Sequence, residues 1–136
     1  MRILFPLAAI GLIGTAVIAA SPARIEREAK ESARLEKALA GKVAGKPRSC
    51  ITLSQNRSSE ILGENAILYR FSKQMFFINK PVGGCPGLRT GQTLVTRIPS
   101  DQLCSGDITR VVDLVSGFEG GACTLGEFVP YSKSPS

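Results

Sequence analysis

No histidine occurs anywhere in the 136 residues. That absence excludes Ser-His-Asp and Cys-His nucleophile arrangements, imidazole metal sites, and the side chain best suited to moving protons near neutral pH. Lysine- or carboxylate-based catalysis survives the cut but needs a visible constellation. Tryptophan is also missing, and aromatic residues make up only 6% of the chain, so the apolar core is modest. There is no C-x-x-C pair, which removes zinc knuckles and thioredoxin-like redox chemistry. Basic runs, zinc-finger spacing and RNP-like aromatic motifs are absent as well. Nucleic acid is therefore not an expected partner, despite a formal net charge of +6. Charge of that size serves solubility or weak attraction to anionic polymers of a cell envelope.

What is present reads as one exported domain. The balance of 43% hydrophobic and 21% charged residues is that of a folded chain. Residues 1–20, MRILFPLAAIGLIGTAVIAA, place one arginine before a long apolar stretch that closes on small residues. This is the layout of a secretory signal peptide, with cleavage expected near Ala20. The alternative is an uncleaved anchor, since Ile3 to Ala20 could just span a bilayer of about 30 Å. A lipoprotein is not expected, because the first cysteine is Cys50. Cleavage removes only Arg2 among the charges and leaves +5, and no stable membrane insertion is expected afterwards.

Residues 21–47 read as a helix followed by a flexible linker. Ser21 can cap, Pro22 suits the first turn, and Gly41 suits the position after the helix end. Ile25, Ala29, Ser32, Leu35 and Leu39 form a narrow stripe, too thin to bury much, so a solvated spacer is expected, with weak docking or a partner-binding arm as alternatives. GKVAGKP (41–47) breaks the pattern. Residues 48–132 read as a β-rich domain and 133–136 as a disordered tail. Strands are expected at 50–55, 58–63, 65–71, 75–80 and 94–98, with 65–71 and 75–80 as a hairpin. Residues 108–115 suit a strand or a helix. Residues 126–131 suit a short edge strand, because Pro130 would interrupt a central one. The fold class is mainly β (α+β overall), a small antiparallel sheet or barrel-like domain.

Four cysteines remain to be explained. Neighbouring cysteines lie 35, 19 and 19 positions apart, without the clustering that a metal demands. In an oxidising compartment the expected state is two disulfides. Three pairings are open. Cys50–Cys104 with Cys85–Cys123 is favoured, because GGCPG (83–87) and GGAC (120–123) are glycine-lined loops that can approach closely.

Other groups are weaker candidates. Asp101, Asp107 and Asp113 lie at intervals of six, too sparse for a calcium loop. Glu60, Glu64, Glu119 and Glu127 could supply a hydrolytic pair, but nothing in the sequence joins two of them. Ser54 or Ser105 with Lys73 or Lys80 lacks the S-x-x-K spacing. Arg89, in GLRTG (87–91), could be the bait of a protease inhibitor presenting the 85–91 loop. Tyr69, Phe71, Phe76 and Phe77 read as core.

CITL (50–53), AILYRF (66–71), CPGLR (85–89), LVTRIPSDQLCSGDITRVVD (94–113) and CTLGEFVPY (123–131) together resemble a family of small exported proteins of unknown function from Gram-negative bacteria. The resemblance covers roughly 48–131 and implies an envelope location. It brings no catalytic residues. The expectation is a periplasmic or secreted, non-enzymatic domain with a structural or binding role, without cofactor or metal. Its partner would be an envelope protein or an anionic envelope polymer. The alternatives are the Arg89 inhibitor and a carboxylate-dependent hydrolase.

Overall fold

A computed structural model describes residues 19–134. The signal segment falls almost wholly outside them. Helix α1 runs Pro22–Leu39, and ten strands follow. These are β1 Lys42–Ala44, β2 Cys50–Thr52, β3 Ser58–Ile61, β4 Ile67–Arg70 and β5 Met75–Asn79. The rest are β6 Gln92–Thr96, β7 Gln102–Cys104, β8 Ile108–Asp113, β9 Glu119–Thr124 and β10 Phe128–Lys133. The fold is mainly β with every strand pair antiparallel. A five-stranded sheet has the order β1-β10-β5-β4-β3, a three-stranded sheet β6-β8-β9, and a two-stranded ribbon β2-β7.

The apolar runs ILY and MFFI explain why β4 and β5 sit in the middle of the large sheet. Both are covered on both faces, as continuous apolar strands require. Ile67, Tyr69 and Phe77 point to a core shared with Phe128, Leu103, Val111 and Leu88. Their alternates Leu68, Phe76 and Ile78 point the other way, where Leu35, Ala38 and Leu39 of α1 pack. The expected hairpin is β4–β5, with Leu68 opposite Ile78 and Tyr69 opposite Phe77.

The helix is therefore no spacer. Its N-terminal half is exposed, with Ile25 at 56%, but its last turns close the second face of the sheet. Ser21 stands at the N-cap position without a side-chain capping bond; its carbonyl instead accepts from the N–H groups of Arg24 and Ile25. Gly41 follows the helix with φ +71°, as its position predicts.

Further expectations are corrected. The linker 41–47 contains β1, which pairs with β10 from Lys42 opposite Lys133 to Ala44 opposite Tyr131. Lys133 consequently belongs to the sheet and not to a tail. The last strand is internal, flanked by β1 and β5. Pro130 survives there because its carbonyl accepts from Gly45 N–H at 2.7 Å. Its nitrogen points to the same side, just beyond the end of β1, so no bond to β5 is lost. GGAC is not a loop, since Cys123 lies in β9 opposite Thr109. The ambiguous segment 108–115 is strand up to Asp113. The 50–55 stretch is β2 followed by a 3₁₀ turn, Leu53–Gln55.

The disulfides are Cys50–Cys104 and Cys85–Cys123. The first joins directly opposed residues of β2 and β7, with Cα atoms 4.0 Å apart. The second ties a loop to β9. Gly83 and Gly84 take φ +72° and +79°, a reversal that side chains resist. It turns Cys85 into the core, where it is fully buried.

Candidate functional site

The strand order leaves β3 at one end of the large sheet and β6 at one end of the three-stranded sheet. Both open edges border one cleft of about 550 Å³. Ser59 and Ile61 contribute from β3, Leu94 and Thr96 from β6, and Leu103 and Tyr69 from the interior. Two properties of the local sequence build it. SSEI is short, polar at its start and followed at once by the turn into β4, so nothing covers its outer side. TLVT alternates, sending Leu94 inward against Val111 and leaving Val95 47% exposed on the outer face.

The ladder alternation decides which backbone groups face the cleft. Leu62 donates to Ala66, which assigns Ser58 and Glu60 to β4 and turns Ser59 and Ile61 to the open side. On β6 the Val95 carbonyl faces β8 and accepts the Thr109 hydroxyl at 3.4 Å. Leu94 and Thr96 thus direct N–H and C=O toward the opening. One end is already closed, because the Thr90 hydroxyl donates to the Ile61 carbonyl at 3.3 Å. Tyr69 is 5% exposed, and burial pushes its phenol well above the usual tyrosine range. It is neutral at physiological pH. Among the described residues its hydroxyl has no hydrogen-bond partner. The cleft can therefore offer main-chain donors and acceptors, an apolar floor, the Tyr69 phenol and polar side chains that include Glu60 and Thr96.

Of the residues singled out from sequence, Glu60 and Tyr69 line this cleft; the others lie elsewhere. Arg89 borders a second cleft of about 560 Å³ under the N-terminal half of α1, among charges of both signs that include Arg24, Glu28, Glu64 and Lys80. Arg24 is held there by Glu28 at 2.8 Å and Glu64 at 3.7 Å. The 85–91 loop is pinned. Leu88 is 1% exposed, the Arg89 N–H donates to the Gln92 side chain at 2.8 Å, and the Arg89 carbonyl accepts from Gln92 N–H at 3.1 Å.

Asp107 and Asp113 serve local turns, whereas Asp101 reaches a distant segment. Asp101 accepts from Ser54 N–H at 3.1 Å, and Asp107 from Cys104 N–H at 2.7 Å. Asp113 accepts from Val115 and Ser116 N–H groups, both at 2.9 Å. Those two backbone bonds, Ser116 first, hold its carboxyl below the ordinary value of 3.8. The glutamates are dispersed: Glu60 pairs with Arg70 at 3.7 Å and Glu119 with Arg110 at 3.1 Å, while Glu127 is exposed on its own turn. No hydrogen bond joins Ser54 or Ser105 to Lys73 or Lys80 among the described residues. Nor does any group of three or more Cys, Asp or Glu side chains converge there to hold a metal. All four cysteines are bonded.

Tyr69, Phe76 and Phe77 are buried, and Phe71 stacks edge-on to Phe77 at 4.7 Å. They form core as their sequence suggests, and Tyr69 in addition lines the opening, which no local pattern signals. The cleft itself left no sequence signal, since its two rims lie about thirty positions apart. Among the described residues no helix is long and apolar enough to cross a membrane. No family model, curated protein or solved structure matches the chain.

Proposed function

We propose that this chain is an exported, non-enzymatic binding domain of the bacterial envelope that captures an extended peptide segment between β3 and β6. The observation that carries the reading is the pair of open strand edges facing one apolar cleft. Unpaired N–H and C=O groups recognise extended main chain regardless of side chains, and pockets for alternate side chains add selectivity. The cleft volume lies within the range of about 300–1,000 Å³ typical of ligand sites. The peptide it suits is four or five residues long, the length of β3 and β6. An apolar side chain would sit over Ile67, Leu94 and Leu103, and a polar acceptor would meet the Tyr69 hydroxyl. No lysine or arginine lines the cleft, so an inward carboxylate on the peptide would be left unpaired. Export rests on the leader-like residues 1–20 and on two disulfides, which belong to oxidising compartments such as the periplasm.

The inhibitor alternative gains no support from the loop. A bait residue must present a free, extended main chain to a protease, whereas both backbone groups of Arg89 are bonded to Gln92.

The test uses random dodecapeptides displayed on phage and panned against the full domain. Peptides recovered should protect the amides of Leu94, Thr96 and Ser59 from hydrogen exchange. Ser59 is exposed, so Ser59→Trp fills the cleft without disturbing the core. It should weaken binding by about tenfold or more. Undiminished affinity in Ser59→Trp, together with unchanged exchange on β3 and β6, would reject the site.

A further inference from the structure

The turn Leu114–Phe118 joins β8 to β9 and holds three large apolar side chains in water. Leu114 is 71% exposed, Val115 98% and Phe118 72%. A lone exposed leucine is ordinary, but three on one projecting tip mark a contact surface. The kind of contact follows from the backbone. Asp113 Oδ1 accepts from Val115 and Ser116, both at 2.9 Å. Gly117 N–H donates to the Asp113 carbonyl at 2.9 Å, and Phe118 N–H to Ser116 Oγ at 3.3 Å. Four consecutive donors are thus satisfied inside the turn. The Phe118 carbonyl closes it by accepting from Asp113 N–H at 3.0 Å.

A tip with no free donors at 115–118 has little main-chain bonding to offer a protein pocket. In hydrocarbon, where every unmet donor is penalised, the same tip is well suited. The charges agree. Glu119 beside the tip is neutralised by Arg110 at 3.1 Å. The turn carrying Arg89 flanks Asp113, because Gln92 is the Cα partner of Asp113 and its N–H bonds the Arg89 carbonyl. The whole chain has a formal charge of +6.

We infer that Leu114, Val115 and Phe118 dip reversibly into the headgroup–acyl boundary of an anionic lipid bilayer. Only side chains of the tip enter; no strand or helix spans. Leaflet docking of this kind is weak with apolar contact alone and gains from anionic lipid. Leu114 also borders the β3–β6 cleft, but Val115 and Phe118 do not, so variants at those two positions test this reading without touching the peptide site.

The chain has no tryptophan, so Phe118→Trp supplies a single reporter. The probes are vesicles of phosphatidylethanolamine mixed with phosphatidylglycerol, and vesicles of phosphatidylcholine alone. With the anionic vesicles the emission should shift to the blue and be quenched by brominated acyl chains, with weaker effects on phosphatidylcholine. Val115→Asp should lower vesicle partitioning by about tenfold or more, with the thermal midpoint of the wild type, because the residue is 98% exposed. Emission that stays at the water-exposed wavelength in folded protein overturns the inference, whether the tip then serves a protein or nothing. Binding without quenching, which is adsorption by charge alone, overturns it too, as does undiminished partitioning of Val115→Asp.

Discussion

The two disulfides make a comparison in which loop length and packing point opposite ways. Their sequence separations are 54 for Cys50–Cys104 and 38 for Cys85–Cys123. Chain entropy assigns these loops about 4.2 and about 3.9 kcal/mol, so on that ground the first bridge matters marginally more. Burial reverses the order. Cys85 and Cys123 are 0% and 6% exposed inside the main core cluster, whereas Cys50 and Cys104 are half-buried at a ribbon edge. Replacing two core sulfurs by hydrogen leaves a cavity costing about 2 kcal/mol, roughly a methylene's worth at each site. The double variant Cys50→Ala/Cys104→Ala should therefore lose about 4 kcal/mol and Cys85→Ala/Cys123→Ala about 6 kcal/mol. A domain of this size holds only about 5–15 kcal/mol in total, so the second variant sits near the edge of folding. Urea denaturation followed by circular dichroism measures both, provided the slopes agree with wild type. Equal losses, or a larger loss in Cys50→Ala/Cys104→Ala, would refute the packing argument. Losses below about 1 kcal/mol in both would refute the entropic one.

Three further outcomes follow from single sites. Asn79 is fully buried and exchanges two hydrogen bonds with the Gly126 backbone, at 2.7 and 3.0 Å. A Cβ at Gly126 would collide with the Lys80 carbonyl, so Gly126→Ala should cost about 3 kcal/mol by overpacking, read as a lowered urea midpoint. Tyr69 titrates above its unfolded value of 10.0. Its neutral form is the folded form, so its contribution is complete below pH 10.0 and lost as pH rises beyond it. Tyr69→Phe should flatten that alkaline loss, and an unaltered pH profile would count against the assignment. Asp113 titrates below its unfolded 3.8, so the order it lends the 114–118 turn is complete above that pH and lost as acid protonates the folded carboxyl. Amide shifts of Val115 and Ser116 should report a midpoint below 3.8; one at or above it would contradict the hydrogen bonds.

Features that depend on neighbours in the chain could be read directly. The β4–β5 hairpin and the helix with its trailing Gly41 both rest on residues a few positions apart. Features that depend on distant partners could not. VA (43–44) lies between glycines and reads as linker until β10 offers it a ladder. Gly120 and Gly121 argue against a strand, yet pairing with β8 overrides their low propensity. Pro130 argues for an edge, but its missing donor falls where β1 has already run out. Leu35, Ala38 and Leu39 look too few to dock a helix. They suffice because Leu68, Phe76 and Ile78 offer a second apolar face, which short strands conceal when read one at a time. The cleft was illegible for the same reason, since it exists only once β3 and β6 become ends of different sheets.

The position of the crosslinks bears on the binding reading. Cys50–Cys104 locks the β2–β7 ribbon, which brings Leu103 to the floor of the cleft and Leu53 to its side. Cys85–Cys123 locks the loop that runs directly into β6, one of its two rims. Among the described residues no ladder joins β3 to β6; the Thr90 hydroxyl, in the turn before β6, bonds the Ile61 carbonyl. Open edges at that spacing tend either to collapse together or to recruit a strand. Two covalent constraints behind the rims limit collapse while leaving the main-chain groups of Ser59, Leu94 and Thr96 unpaired. Holding a site open before its ligand arrives removes ordering cost from the binding step. On this argument the bridges do more than hold a small core together: they keep apart two edges that would otherwise be free to close.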